Sequence, residues 1–163
     1  MDIERFEMPG LAQYSYIISS EGKAAIIDPI RDTDRYIRYL EHKELKLAAI
    51  LETHIHADFA AGSKALAEST GAELALSAYD EGGHYRYAMP HRSLRNGESV
   101  VIGEIRLDAL HTPGHTPEHL SFVLFDNKRS ITEPVALFSG DFFFVGSVGR
   151  PDLLGEQAKL GLG

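Results

Sequence analysis

The alternation of apolar stretches and turn residues predicts a chain built mainly of strands. Short apolar runs bounded by glycine, proline and small polar residues recur along the sequence, and each has the length of a strand. The Glu21-Gly22 step between the first two runs predicts a hairpin turn. The eight predicted strands are Tyr14–Ile18, Ala24–Asp28, Ala48–Thr53, Glu73–Ser77, Ser99–Ile102, Ile105–Leu110, Leu120–Phe125 and Val135–Ser139.

Two segments have helical periodicity instead. The first is predicted to begin after Asp32, a good N-cap residue, and it places Tyr36 and Leu40 on one face. The second is predicted to follow Asp58 and to run until Gly71, a good residue to end a helix. The resulting order of strands and helices predicts an α/β or α+β layered fold rather than a helical bundle.

Composition narrows the class of protein. The 163 residues suffice for one domain, and the formal net charge of -8 argues against a nucleic-acid partner. No apolar run is long enough to span a bilayer, so no membrane partner is expected, and the opening MDIERFEMPG lacks the order of a secretory signal. Cysteine is absent, which excludes disulfides and thiolate ligands and fits a cytoplasmic location.

The segment THIHADF, residues 53–59, carries the first candidate chemistry. It directly follows an apolar strand, and its histidines His54 and His56 alternate with Asp58 two residues further on. Imidazoles and a carboxylate that turn toward a common point suit zinc, iron, copper or nickel. The alternative is a polar loop in which Asp58 caps the next helix, but that alternative leaves the alternating pattern as a coincidence, so a metal site is favoured.

The segment HTPGHTPEH, residues 111–119, follows another apolar strand. Its proline restricts the backbone and its glycine permits unusual backbone angles, which together can hold His115 in one direction. We expect His111 and His119 to support the site or the fold rather than to ligate a metal.

Two further residues, both in the last quarter of the chain, are candidates for the site. Asp141 ends the apolar run LFSGD and delivers a carboxylate at a strand terminus, although on its own it reads as an aspartate in a turn. Arg150 can place a cation near an anionic substrate, or it can form a local contact with Asp152.

Taken in order, THIHADF, HTPGHTPEH and LFSGD resemble the metal motifs of the metallo-β-lactamase superfamily. The resemblance runs from YIISSEGKAAIIDP to VGSVGRPDL and so covers nearly all of the chain. It implies the four-layer αβ/βα sandwich, with residues 1–163 forming the N-terminal and central part of that domain. The segment GEQAKLGLG, residues 155–163, begins as a helix and stops, so we expect the C-terminal portion of the usual domain to be missing.

The glyoxalase II-type hydrolases of this superfamily use two metals. On that pattern one metal takes His54, His56 and His115, while the second takes Asp58 and the residue after it, with Asp141 bridging. The residue after Asp58 is phenylalanine in this chain, where the dinuclear enzymes have histidine. Since phenylalanine cannot ligate a metal, this departure favours a single metal.

The chain most resembles the bacterial persulfide dioxygenases, several of which are fused to rhodanese domains. The resemblance implies one Fe(II) per chain, held by His54, His115 and Asp141, with His56 and Asp58 orienting the ligands and positioning protons. The substrates implied are O2 and the persulfide of glutathione or a related thiol, with sulfite and thiol as products in sulfide detoxification. A rhodanese domain is the implied partner in the full-length protein.

Two other functions stay open at this point. A glyoxalase II-like thioester hydrolase would use Zn(II) and the same ligands. A truncated, inactive fragment would instead act as a binding or assembly module, with an exposed sheet edge covered by a second copy in a homo-oligomer.

Overall fold

One six-stranded sheet carries the first half of the chain. The computed structural model describes residues 1–8, 10, 13–56, 60–79, 87–144 and 146–148. In spatial order the sheet contains β1 (Asp2–Met8), β2 (Gln13–Ser20), β3 (Lys23–Ile27), β4 (Lys46–Leu51), β5 (Glu73–Ser77) and β6 (Arg92–Leu94). The first three strands are antiparallel, and β3 to β6 run parallel. Helices α1 (Asp34–His42) and α2 (Ser63–Thr70) make the crossovers that parallel strands require.

A second sheet of four antiparallel strands follows. It consists of β7 (Ser99–Ile102), β8 (Ile105–His111), β9 (Leu120–Asp126) and β10 (Ala136–Phe138), in the spatial order β10-β9-β8-β7. A short hairpin of β11 (Phe143–Phe144) and β12 (Ser147–Val148) follows it. Within the described residues, neither helix is long and apolar enough to cross a membrane.

Two apolar layers hold these elements together. The first lies between the two sheets, where residues such as Ile18, Leu51 and Phe122 are inaccessible to solvent. The second lies between the six-stranded sheet and the helices and includes Tyr36 and Leu66. The described residues therefore form a helix layer and two stacked sheets, and the predicted mixed α/β layered architecture is confirmed.

Each of the eight predicted strands is present, with ends that differ by a few residues at most. The sequence pattern missed β1, β6 and the β11–β12 hairpin. Strand β1 is largely exposed and polar, and it exists because its backbone pairs with β2 along seven residues. Strand β6 buries only Leu94. Edge strands such as β1 and β6 bury few side chains, so their sequences show little apolar periodicity.

The hairpin turn at Glu21 and Gly22 is confirmed, since both residues have positive φ angles, of 52° and 71°, and join β2 to β3. The start of α1 differs slightly from the prediction, because its N-cap is Thr33 rather than Asp32. Gly71 ends α2 in the left-handed conformation, as predicted.

The predicted start of α2 just after Asp58 is wrong for residues 60–62, which are not helical. Ala61 forms a bridge with Ile30, and the Gly62 amide donates to the Pro29 carbonyl at 2.7 Å. A Cβ at Gly62 would lie 2.3 Å from the Ile30 carbonyl oxygen. Tertiary pairing with the turn after β3 therefore holds this stretch out of the helix, and Asp58 itself lies outside the described residues.

The hydroxyl of Tyr36 ties α1 to this same turn. It accepts a hydrogen bond from the Ile30 amide at 3.0 Å and shares a second one with the Ser15 hydroxyl at 2.7 Å. Because Tyr36 is fully buried, no water can replace the phenol oxygen if it is removed.

We expect Tyr36→Phe to lower the free energy of unfolding by about 1 to 3 kcal/mol, the cost of leaving a buried amide without an acceptor. Urea titration should show a lower midpoint with an unchanged slope. Tyr39→Phe on the same helix is the matched control, because the Tyr39 side chain is only partly buried. Equal midpoints for the two variants would contradict this account.

Candidate metal centre

The candidate ligands lie where strands of both sheets end. Strands β3 and β4 are parallel, so Asp28 and His54 leave the first sheet at the same edge. In the second sheet β8 and β10 are each antiparallel to β9 and thus run in one direction. His115 follows β8, and Asp141 follows β10. Stacking of the sheets brings these two edges together.

Two hydrogen bonds join the sheets directly at this edge. The Leu120 amide donates to the Thr53 carbonyl at 2.6 Å, and the Ile55 amide donates to the Glu118 carboxylate at 2.9 Å. Glu118 and Leu120 are both inaccessible to solvent. The loop that carries His54 is therefore fixed to the loop that carries the second candidate histidine.

Gly140 lets the end of β10 approach this junction. Its φ angle is +50°, and a Cβ there would lie 2.5 Å from the Thr53 hydroxyl and 2.8 Å from Nε2 of His119. A side chain at this position would both strain the backbone and push the neighbouring Asp141 away from the other strand ends.

Asp28 organises the histidine loop from beneath. Its carboxylate accepts hydrogen bonds from the Thr53 amide at 2.7 Å and the Thr53 hydroxyl at 2.8 Å, and it lies 3.2 Å from Nε2 of His56. Burial alone raises the pKa of Asp28, but the His56 imidazolium and the Thr53 donor outweigh burial and hold that pKa below its usual range. Burial likewise opposes the charge on His56, and Asp28 outweighs it, so the pKa of His56 is raised.

The same network selects the tautomer of His54. Since the Thr53 hydroxyl donates its proton to Asp28, it can only accept from Nδ1 of His54, which lies 2.9 Å away. Nδ1 then carries the proton and Nε2 carries the lone pair that a metal needs. Burial, together with His56 nearby, lowers the pKa of His54 to about 2, so this imidazole is neutral at physiological pH.

His54, His115 and Asp141 form a group that could hold a metal ion. Each offers one ligand atom, and these atoms all lie within 4.8 Å of one another. Nε2 of His115 is 3.6 Å from the Asp141 carboxylate, and the His54 and His115 rings are nearly perpendicular with centroids 4.9 Å apart. Two imidazoles and one carboxylate are a donor set for Fe(II) or Zn(II), so the residues fit a single ion. Their assignment as ligands remains a prediction.

The remaining histidines of the motifs have different surroundings. His56 points Nε2 at Asp28, although its ring also lies 4.2 Å from that of His54. His119 stacks on His54 at 5.0 Å, hydrogen-bonds through Nδ1 to the Thr112 hydroxyl, and has its pKa lowered to about 4, chiefly by burial. His111 stacks on Tyr79 at 3.7 Å.

Two predicted site residues, Asp58 and Arg150, lie outside the described residues, as does Phe59. Sequence reasoning missed Glu118 and Gly140, whose roles depend on contacts between the sheets. It also missed Glu52, a buried carboxyl group near His56 whose pKa is raised by burial. Glu52 directly precedes THIHADF at the end of a predicted strand, but no periodicity marks it as buried.

Comparison with known proteins identifies the family of the chain. Residues 8–161 match the family model described as the metallo-beta-lactamase superfamily. The chain belongs to the metallo-β-lactamase superfamily. A curated relative, the hydroxyacylglutathione hydrolase of Francisella philomiragia, is 33% identical over 155 residues, which make up 91% of this chain and 55% of the relative. The chain thus spans about half the length of the curated relatives it matches.

Two solved structures of the superfamily are also similar. A metallo-beta-lactamase from Staphylococcus aureus superposes with a TM-score of 0.91 and 41% identity, covering 99% of this chain and 48% of the other. ETHE1 from Myxococcus xanthus superposes with a TM-score of 0.78 and 29% identity, covering 93% and 62%. The metallo-β-lactamase fold expected from the motifs is therefore confirmed.

We expect Asp28→Asn to weaken metal binding about 10- to 100-fold, the usual effect of removing a partner that orients a ligand. Asparagine tolerates the positive φ of 51° at this position, so the substitution mainly removes the charge and one acceptor atom. Competition with a chromophoric chelator measures the affinity. Asp32→Asn, at an exposed aspartate of the same loop, is the control and should bind as the unmodified protein does. An unchanged affinity in Asp28→Asn would show that the network does not orient the site.

Proposed function

We propose that this protein is an Fe(II)-dependent persulfide dioxygenase. The observation that carries the proposal is the convergence of His54, His115 and Asp141, a two-histidine, one-carboxylate group of the kind used by non-haem iron oxygenases. Phe59, which stands beside Asp58 where a dinuclear site needs a further histidine, supports one metal rather than two. The resemblance of the motifs to those of bacterial persulfide dioxygenases supports the same choice.

The proposed substrates are O2 and the persulfide of glutathione or a similar low-molecular-weight thiol. In the overall reaction one persulfide, one O2 and one water give one thiol, one sulfite and two protons. The terminal sulfur loses four electrons, O2 gains four, and the bond between the two sulfur atoms breaks. Fe(II), when bound, supplies the activation of O2 and a position for the substrate sulfur.

The residues of the chain prepare the site for this chemistry. Because His54 is neutral, no proton has to leave its ligating nitrogen when a metal binds at neutral pH. The Asp28–Thr53 hydrogen bonds fix the orientation of the His54 ring before any ligand arrives. His56 keeps a proton on Nε2 directed at Asp28 and lines the cavity beside Asp141.

A zinc-dependent thioester hydrolase of the glyoxalase II type is the second candidate. The named function of the curated relatives favours it, since they are hydroxyacylglutathione hydrolases. The same three ligands could hold one Zn(II) whose bound water attacks a thioester. The rhodanese partner implied by the resemblance is part of the proposal for the whole protein. The homo-oligomer belongs to the truncated-fragment alternative and stays a prediction.

The metal content separates these candidates first. After anaerobic loading with iron and zinc in competition, we expect one iron per chain in the unmodified protein and none in Asp141→Ala, because that variant lacks the carboxylate ligand. Asp32→Ala should keep its iron. Two zinc ions per chain would contradict the single-metal site and favour the hydrolase.

Turnover gives an independent test of the reaction. The iron-loaded protein should consume O2 with glutathione persulfide and form one sulfite for each O2, and Asp141→Ala should lower the rate by at least about a thousandfold because it removes a ligand. An oxygen electrode and a sulfite assay follow both quantities. Release of free glutathione from an acyl-glutathione without O2 consumption would overturn the dioxygenase proposal.

A further inference from the structure

A cavity of about 350 Å³ adjoins the candidate metal centre, a size within the usual range of ligand pockets. Asp141 and His56 lie in its wall at the metal centre. Arg5 of β1, with Tyr14 and Tyr16 of β2, also lines it. The described lining therefore combines two carboxylates near the metal centre, those of Asp28 and Asp141, with one cation, two phenols and the Gln13 amide from the first two strands. The Asp28 carboxylate is already paired with Thr53 and His56.

Arg5 is held in place and its charge is available. It lies opposite Tyr16 in the β1–β2 pairing, and its Cζ atom is 4.7 Å from the centre of the Tyr14 ring. Among the described residues it takes part in none of the ion pairs, although Glu7 shares its face of the sheet two residues along. Stacking on a ring leaves the hydrogen-bonding edge of a guanidinium open to an anion.

Tyr16 supplies a neutral donor beside this cation. Its ring packs edge-on against Phe138 with centroids 4.9 Å apart, which fixes its direction. Within the described part of the chain its hydroxyl has no hydrogen-bond partner. Burial raises the pKa of Tyr16 despite the opposing effect of Arg5, so the phenol keeps its proton at neutral pH. Arg5 and Tyr16 lie opposite each other on paired strands and line one cavity, so a guanidinium and a phenol O–H are both available to the two oxygen atoms of a carboxylate.

We propose that Arg5 and Tyr16 bind a carboxylate of the substrate and thereby select thiol derivatives that carry one. Arg5 and Tyr16 line the same cavity as Asp141, so a molecule whose carboxylate binds to them can direct its sulfur atom to the metal centre. Peptide and amino-acid thiols satisfy this requirement, and a thiol without an anionic group does not. The inference deepens the proposed function and rests on its assumption that the site acts on a small thiol derivative.

The experiment measures binding without turnover. S-Methylglutathione has the two carboxylates of glutathione but no free thiol to react. Its diethyl ester lacks both carboxylate charges. Isothermal titration calorimetry gives Kd for both probes with the unmodified protein, Arg5→Gln, Arg5→Lys and Tyr16→Phe. Arg38→Gln, at an exposed arginine on α1, is the matched control, and circular dichroism checks that each variant is folded.

We expect the unmodified protein and Arg38→Gln to bind the acid roughly ten- to a hundredfold more tightly than the ester, as a charged hydrogen-bonded pair requires. Arg5→Gln should lose that preference without changing Kd for the ester, Arg5→Lys should keep part of it, and Tyr16→Phe should reduce it. The proposal is overturned if the unmodified protein shows no preference for the acid, or if Arg5→Gln retains the preference. Since no oxidation or hydrolysis takes place, this result is independent of which reaction the metal centre carries out.

Discussion

The buried carboxylate of Asp28 is the contact on which the candidate metal centre depends. It accepts from both the amide and the hydroxyl of Thr53 and pairs with His56, so one side chain at the end of β3 orders the segment 53–56 that follows β4. A buried carboxylate is costly unless it is fully hydrogen-bonded, and these three donors supply that compensation. An arrangement of Thr53 and His56 that broke these contacts would leave this buried charge unpaired.

This hydrogen-bond network determines which nitrogen of His54 can bind a metal. The Thr53 hydroxyl donates to Asp28 and accepts from Nδ1 of His54, which leaves Nε2 of His54 as the ligand atom. Two sheets then bring a second histidine and Asp141 to it. The adjoining cavity has Asp141 in its wall at the metal centre and Arg5 of β1 elsewhere in its wall, so the fold that builds the metal site also places a cation in the same cavity.

Much of the fold could be predicted from local patterns. The eight strands with clear apolar runs are present. A strand that packs against a neighbouring layer must carry apolar residues, and these residues are visible in the sequence. Strand β1 could not be predicted, since its stability comes from pairing with β2 rather than from its own residues. The prediction of where α2 starts was wrong for a similar reason. Ala61 and Gly62 pair with the turn after β3, and that contact overrides helix propensity.

The sequence by itself determined the class of fold and the chemical groups that stand at the strand ends, because both follow from residue type and local spacing. Only the tertiary structure decided which of those groups lie close together. His54, His115 and Asp141 converge, whereas His56, with the same local spacing and chemistry as His54, turns to Asp28. The physical reason is that distances between strand ends are set by sheet register and by the stacking of two sheets, and a motif of seven or nine residues contains neither.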